Sequence, residues 1–76
     1  MSERLPRISS TEVIKVAKRL GFELDRQSGS HAIYYNSDKH LRIIVPIHKK
    51  RIIKPKTLRG IIEDLGITPE EFKKLL

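Results

Sequence analysis

Two stretches with helical hydrophobic spacing enclose three short stretches of strand-forming residues, and this order limits the chain to a small group of folds. The helical spacing is carried by Val13, Ile14, Ala17 and Leu20 in the first stretch and by Leu58, Ile61, Ile62 and Leu65 in the second. The strand-like segments are 22–26, 32–35 and 41–45, separated by turns at 28–30 and 36–39. Apolar residues at this helical spacing predict helices with one buried stripe, and short runs bounded by turn residues predict strands. Three strands joined by short turns form an antiparallel meander.

Residues that begin and end helices frame the first helical stretch. Ser9 and Glu12 have the spacing of a capping box. In such a box the Ser9 side chain accepts from the backbone N–H of Glu12, and the Glu12 carboxylate accepts from the N–H of Ser9. Gly21 stands where the residue after a helix adopts the left-handed conformation. We therefore predict helix 1 from about residue 10 to residue 20.

Similar signals predict two further helices. Pro55 suits the first turn of helix 2, and Gly66 ends its apolar stripe. Thr68 and Glu71 form a second capping box with Pro69 at the first helical position. A short third helix is expected to follow it.

The strand segments differ in how they should be buried. Segment 22–26 alternates apolar and polar residues, which predicts one buried face. Tyr34 and Tyr35 must point to opposite faces, so we expect one in the core and the other toward solvent. Pro46 has no N–H and is predicted to stop the hydrogen-bond ladder of the third strand.

The predicted class is α+β, with the α-β-β-β-α order of double-stranded-RNA-binding domains. Two helices on one face of a three-stranded antiparallel sheet bury both apolar stripes in one core, with a short C-terminal helix added. The chain has 76 residues and no cysteine, so it has room for one small domain and none for a disulfide scaffold. We place a flexible lead-in at residues 1–8 and the single domain at 9–76.

Charge is distributed unevenly along the chain. The net charge is +7, and residues 39–62 contain eight Lys or Arg residues and no acid. Such a one-sided basic segment predicts a polyanionic partner, most often a nucleic acid. A solvated surface or an acidic protein partner are the alternatives.

A basic run leads into the predicted helix 2. It consists of His48, Lys49, Lys50 and Arg51, followed by Lys54 and Lys56 on either side of Pro55. A helix N-terminus offers free N–H groups and a positive dipole, so this run is the best candidate for binding phosphates. The alternative is a flexible basic loop.

His31 is the candidate for acid–base chemistry. It follows the turn Ser28-Gly29-Ser30 and opens the second strand, with Arg26 on the preceding strand across a tight hairpin. An imidazole can take or give a proton near neutral pH, and a neighbouring cation stabilises developing phosphorane charge. His31 could therefore cleave RNA without a metal by helping the ribose 2′-OH attack its own phosphate. The alternative is a surface histidine at a strand end.

Two other possibilities can be weighed from the residues. Three widely spaced histidines without cysteine are a poor ligand set, so we expect no metal site and no cofactor. The solvent-facing tyrosine, which we assign as Tyr35, could stack on a base, although ordinary sheet packing is the alternative.

Five sequence blocks in order resemble one known family. They are Glu12–Lys15, Gly21–Phe22, Arg26–His31, Val45–His48 and Lys56–Ile62. Together they resemble the HicA (YcfA-like) toxins of type II toxin–antitoxin systems, over about residues 8–76. Ser28 stands where the family often has lysine, and Ala32-Ile33-Tyr34 replaces a more polar strand start.

The resemblance implies a double-stranded-RNA-binding-domain-like fold and an mRNA interferase, a ribosome-independent endoribonuclease. It makes His31 the catalytic histidine, with Gly29 and Ser30 shaping the site and His48 as a supporting or RNA-binding residue. It also implies a HicB-like antitoxin that binds the toxin and masks this site.

The function expected from the sequence is thus metal-independent cleavage of mRNA by a toxin with His31 as its catalytic residue. The RNA-binding candidates are Arg26, Tyr35, His48, Lys49, Lys50, Arg51, Lys54 and Lys56. We expect a cytoplasmic protein, since no signal peptide or membrane span is visible. The free toxin is expected to be a monomer. The alternatives are a non-catalytic RNA-binding module and an interaction protein whose basic face binds an acidic partner.

Overall fold

The computed structural model describes residues 5–48 and 51–76 and has the predicted α-β-β-β-α order followed by a third helix. The elements are α1 (Ser10–Arg19), β1 (Glu23–Ser28), β2 (His31–Asn36), β3 (Leu41–Pro46), α2 (Pro55–Leu65) and α3 (Pro69–Lys74). In the described part of the chain, no helix has both the length and the apolar character needed to cross a membrane.

The three strands form one antiparallel sheet in the order β1-β2-β3. One face of β2 and β3 is buried under the helices, through Ala32, Tyr34, Ile43 and Val45. The helices contribute the matching apolar residues, which are Val13, Val16, Ala17, Leu58, Ile61, Ile62, Leu65 and Phe72. This confirms the predicted α+β class, with all helices contributing to one core.

β1 differs from its prediction. It spans residues 23–28 rather than 22–26, and all six of its residues are exposed. Phe22, just before it, is 2 % exposed, whereas Leu24 is 53 % exposed. The register shifts between Leu24 and Arg26, where the strand bulges. Because the helices pack mainly over β3, at the opposite edge of the sheet, the alternating pattern of β1 does not meet a core.

Pro46 does not stop the ladder, contrary to the prediction. It is the last residue of β3 and pairs with His31, and the N–H of Ile47 still donates to the Ser30 carbonyl at 2.6 Å. Hydrogen-bonded pairs alternate along an antiparallel ladder, so the His31–Pro46 pair is one that exchanges no backbone bonds. A proline at such a position lacks only an N–H that would point away from β2.

The segment before α1 is attached to the segment before α2. The N–H of Ile53 donates to the carbonyl of Ile8 at 2.9 Å, and Ser9 forms an isolated antiparallel bridge with Ile52. Ile8 and Ile53 are both buried in the core. The boundary between residues 8 and 9 stays a prediction, but Ile8 packs with the domain.

Asn36 joins α1 to the turn between β2 and β3. The turn begins one residue later than predicted, because Asn36 is the last residue of β2. Its buried side chain donates from Nδ2 to the Leu20 carbonyl at 3.0 Å and accepts from the Lys39 N–H at 3.1 Å. Gly21 has φ +92°, as predicted, and a Cβ there would lie 3.3 Å from Asn36 Nδ2. Glycine thus satisfies both the backbone conformation and the close approach.

Only one of the two predicted capping boxes forms. Thr68 Oγ1 accepts from the Glu71 N–H at 3.1 Å, and Glu71 Oε1 accepts from the Thr68 N–H at 3.0 Å. Ser9 is the N-cap of α1, but its side chain makes no capping bond. Its backbone instead pairs with Ile52, which is a tertiary contact that the local spacing cannot reveal. The hydrogen bond from the Thr68 backbone lowers the pKa of Glu71, and the Thr68 side chain lowers it further.

Alanine is expected to destabilise the protein at one of the two predicted capping boxes and not at the other. Thr68→Ala removes a formed cap and should reduce the free energy of unfolding by about 1 kcal/mol. Ser9→Ala removes no side-chain bond and should change it little. Urea unfolding of both variants provides the measurement, and equal losses would contradict the assignment.

The capping box also predicts a pH dependence of stability. Because its folded pKa is lowered, Glu71 stabilises the fold above the ordinary glutamate range and loses that contribution as the pH falls through the lowered pKa.

Candidate active site on the open sheet face

The side of the sheet opposite the helices is uncovered by any described element and carries polar and apolar residues together. We call it the open face. Strand alternation and pairing place on it Glu23, Arg26 and Ser28 of β1, His31, Ile33 and Tyr35 of β2, and Arg42, Ile44 and Pro46 of β3. Ile44 is 52 % exposed there.

His31 lies at one end of the open face and is exposed. It is opposite Ser28 on β1 and opposite Pro46 on β3. Gly29 and Ser30 form a two-residue hairpin loop before it, and Gly29 has φ +57°. This positive φ at the first loop position suits a tight hairpin turn. The bond from Ile47 to the Ser30 carbonyl holds the loop against β3, so the backbone of His31 is fixed from both sides.

Arg26 lies near His31 but not directly across from it. It pairs with Ile33, which places it diagonally from His31 on the same face. Diagonal neighbours have Cα atoms about 7–8 Å apart, a distance that a long side chain can cover. The residue directly across the hairpin is Ser28, which the family resemblance marked as a departure from lysine.

The two tyrosines of β2 point to opposite faces, as predicted. Tyr34 is buried in the core, whereas Tyr35 lies on the open face and is half-buried. The Tyr35 hydroxyl is 3.3 Å from His40 Nδ1. Among the described residues, His40 is the only non-glycine residue with a positive φ, at +56°. Arg42 is the direct partner of Tyr35 on β3.

His40 and Arg42 were missed as candidate site residues from the sequence. Neither belongs to a recognisable motif, because their relation to Tyr35 depends on the register of the β2–β3 hairpin. The position of the β2–β3 turn could have indicated this pairing. If Asn36 is placed within β2 and opposite Leu41, Tyr35 pairs with Arg42, but the turn was predicted one residue too early.

A basic cleft adjoins the His31 end of the open face. Its volume is about 320 Å³, and it is lined by Pro46, His48, Arg51, Ile52, Ile53, Lys54 and Thr57. Pro46 belongs to both regions, because it pairs with His31 and also lines the cleft. Lys54 is the N-cap of α2 and Pro55 its first residue, as predicted, so the cleft includes the positive end of the helix dipole.

Of the three remaining basic candidates, the structure describes only Lys56. Lys56 is exposed in the first turn of α2, next to the cleft residue Thr57. Lys49 and Lys50 lie outside the described residues. Within 5–48 and 51–76, no group of three His, Asp or Glu side chains is placed to hold a metal ion.

A comparison with protein families identifies the family of the chain. A family model described as the HicA toxin of bacterial toxin–antitoxin systems matches residues 10–67. The chain belongs to the HicA toxin family. A comparison with curated proteins finds no match. The matched region of this HicA family toxin begins at the first residue of α1 and includes the open face, the cleft and α2. Membership makes it the toxin component of a toxin–antitoxin system and implies a cognate antitoxin.

Two glycines of the matched region predict opposite effects of alanine on stability. At Gly29 a Cβ would meet no atom within 4 Å, so the cost of Gly29→Ala is that of the positive φ, about 1 kcal/mol. Gly60 lies inside α2 and also has open space, so Gly60→Ala should stabilise the protein by about 0.5–1 kcal/mol. Thermal unfolding of both variants is the measurement.

Gly29→Asn serves as the matched control, because asparagine tolerates a positive φ better than alanine. A melting temperature for Gly29→Ala equal to or above that of the wild type would contradict the conformational role assigned to this glycine.

Proposed function

We propose that this toxin is a metal-independent endoribonuclease that cleaves mRNA with His31 as its catalytic residue. The observation that carries the proposal is the position of His31. It is an exposed imidazole held between two strands and joined through Pro46 to a basic cleft. Membership in a toxin family supports an activity that is harmful to the cell that makes the protein.

The proposed reaction uses the RNA's own 2′-OH as the nucleophile. The 2′-oxygen forms a bond to the adjacent phosphorus, and the bond from phosphorus to the 5′-oxygen breaks. His31 takes the proton from the 2′-OH or gives a proton to the leaving 5′-oxygen, and water serves the other transfer. The products are a 2′,3′-cyclic phosphate and a 5′-OH. Arg26 is the nearest open-face cation to stabilise charge on the phosphorane.

RNA binding is assigned to two neighbouring regions. Within the described residues, His48, Arg51, Lys54 and Lys56 would contact phosphates at the cleft and the start of α2. Arg26 and Tyr35 would contact the strand on the open face. Lys49 and Lys50 remain candidates from sequence alone.

The antitoxin is proposed to be a HicB-like protein that covers the open face and thereby blocks His31. Support comes from Ile33 and Ile44, which pair with each other on this face, since adjoining apolar residues surrounded by polar ones are typical of protein contact sites. We propose that the free toxin is a monomer acting in the cytoplasm, where mRNA is found.

Replacing His31 is the direct test of the reaction. His31→Ala should lower the rate of RNA cleavage in EDTA by about 10²–10⁴-fold and abolish growth arrest on expression, because general acid–base catalysis contributes this much. Gel analysis of a labelled RNA and mass analysis of the cyclic phosphate are the measurements. Unchanged cleavage by the folded variant would refute the role of His31.

A substrate control separates this reaction from other routes. An RNA with a single 2′-deoxynucleotide at the cut position should resist cleavage there, because it lacks the nucleophile. If wild-type protein binds RNA tightly but leaves it intact on long incubation, the non-catalytic RNA-binding module is the correct function instead.

The basic cleft predicts a defined salt dependence. Lys54→Ala and Lys56→Ala should each weaken binding to all single-stranded RNA sequences alike, because phosphate contacts carry no sequence information. Each loss should reduce the slope of log K against log salt by about 0.7. Lys73→Ala, on α3, is the matched control and should leave the slope unchanged. Slopes that are equal in all four proteins would exclude the cleft as the phosphate site.

A further inference from the structure

The half-buried ring of Tyr35 lies at the end of the open face away from His31. Its hydroxyl is in contact with His40 Nδ1 at 3.3 Å, which favours one orientation of the ring. His40 lies in the turn between β2 and β3 and has φ +56°. A ring whose hydroxyl already makes a polar contact loses less conformational freedom when a base stacks on it than a ring without one.

A shallow depression lies beside this ring. It has a volume of about 230 Å³ and is lined by Glu23, Leu24, Asp25, Tyr35 and Ser37. Glu23 is the direct partner of Tyr35 on β1, and Asp25 lies within the bulge that follows Leu24. Two carboxylates repel a phosphate but accept hydrogen bonds from the N–H groups of a base. The depression therefore suits a base and excludes the backbone of the same strand.

Arg42 lies on the other side of Tyr35, away from the two carboxylates, and offers a cation for a phosphate of the same RNA strand. The two residues pair directly on β2 and β3, at an even number of residues from the His31–Pro46 pair. They therefore form a pair without mutual backbone bonds, in which side chains lie closest, at about 4.5–5.5 Å between Cβ atoms. Arg42 is exposed and can contact a phosphate while the base lies on the β1 side of the ring.

The spacing along β2 connects this corner with His31. Tyr35 is four residues from His31 on the same face, which corresponds to about 13 Å at 3.3 Å per residue. Ile33 and the exposed Ile44 pair with each other between them and form an apolar floor. An extended single strand can lie along this floor. In a duplex the bases are stacked inside and paired, so none is available to Tyr35.

We propose that the depression beside Tyr35 binds one unpaired base of a single-stranded RNA, stacked on the Tyr35 ring, and that it favours guanine over uracil. This rests on the proposed function, because the same strand is the one that His31 would cut. Guanine presents two adjacent N–H donors that match the two oxygens of Glu23. Uracil presents one N–H between two carbonyls, which carboxylate oxygens repel. Binding of a guanine by Tyr35 and Glu23 would thus determine which phosphate of the RNA strand lies at His31.

The first test measures RNA affinity in the His31→Ala background, so that the RNA stays intact. The probes are a labelled oligouridine containing one guanosine, the all-uridine strand, and a duplex of the first. The guanosine strand should bind more tightly than both others. Tyr35→Leu should weaken its binding roughly 5–100-fold, whereas Tyr35→Phe, which keeps the ring, should stay within about threefold. The melting temperature of each variant checks the fold.

The second test addresses the choice of base. Glu23→Gln should remove most of the preference for the guanosine strand over the uridine strand, because it removes the charged acceptor. Glu63→Gln, an exposed carboxylate on α2, is the matched control and should keep the preference. A guanosine preference that is unchanged in Glu23→Gln would overturn the assignment of that residue.

The outcomes for this pocket and for the nuclease can be distinguished. If duplex binds as tightly as the single strand, or if folded Tyr35→Leu binds RNA normally, the base pocket is wrong while cleavage by His31 can still stand. If protein with His31 intact never cuts RNA but Tyr35→Leu loses single-strand affinity, the nuclease is wrong and the base pocket stands. With active protein, Tyr35→Leu should also change which positions are cut, an effect that general destabilisation does not produce.

Discussion

Within residues 5–48 and 51–76 the core lies on one face of a three-stranded sheet, and the rest of the described structure follows from that constraint. A chain of 76 residues provides enough amphipathic helix to cover a single face, chiefly that of β2 and β3. Every residue that alternates away from the core on β2 and β3 is consequently presented on the open face. These residues include His31, Tyr35 and Arg42. They point away from the core because their neighbours along the strands, such as Tyr34 and Ile43, point into it.

Two polar connections keep this single layer of helices in place. Asn36 joins the end of α1 to the β2–β3 turn, and it is satisfied on both sides although it is only 4 % exposed. The bond from Ile53 to Ile8 joins the segments that precede the two long helices. A buried amide with its partners present adds specificity to the packing, since any other placement of α1 would leave Asn36 unsatisfied. The second connection also holds Ile53, which lines the basic cleft, against the core.

Local signals in the sequence were enough to predict the elements, but not the contacts between them. Gly66, Thr68 and Pro55 each act within a few residues, and each was placed correctly. The Ser9 capping box was wrong, since the Ser9 side chain makes no capping bond, and local spacing gave no sign that Ser9 lies beside Ile52, more than forty residues away. The buried face of β1 was wrong because alternation in an edge strand does not show whether a helix covers it. The pairing of Tyr35 with Arg42 depends on where a turn begins, and an error of one residue was enough to hide it.

On the proposed function, one surface must serve cleavage, RNA binding and control by the antitoxin. The open face is small, and His31 and Tyr35 are about 13 Å apart along β2, so a partner that contacts Ile33 and Ile44 between them would exclude RNA from both ends. Inhibition then needs no conformational change in the toxin, because occupancy of the face is sufficient. It also follows that RNA and antitoxin compete directly. Release of activity should then depend on removal of the antitoxin rather than on an allosteric signal.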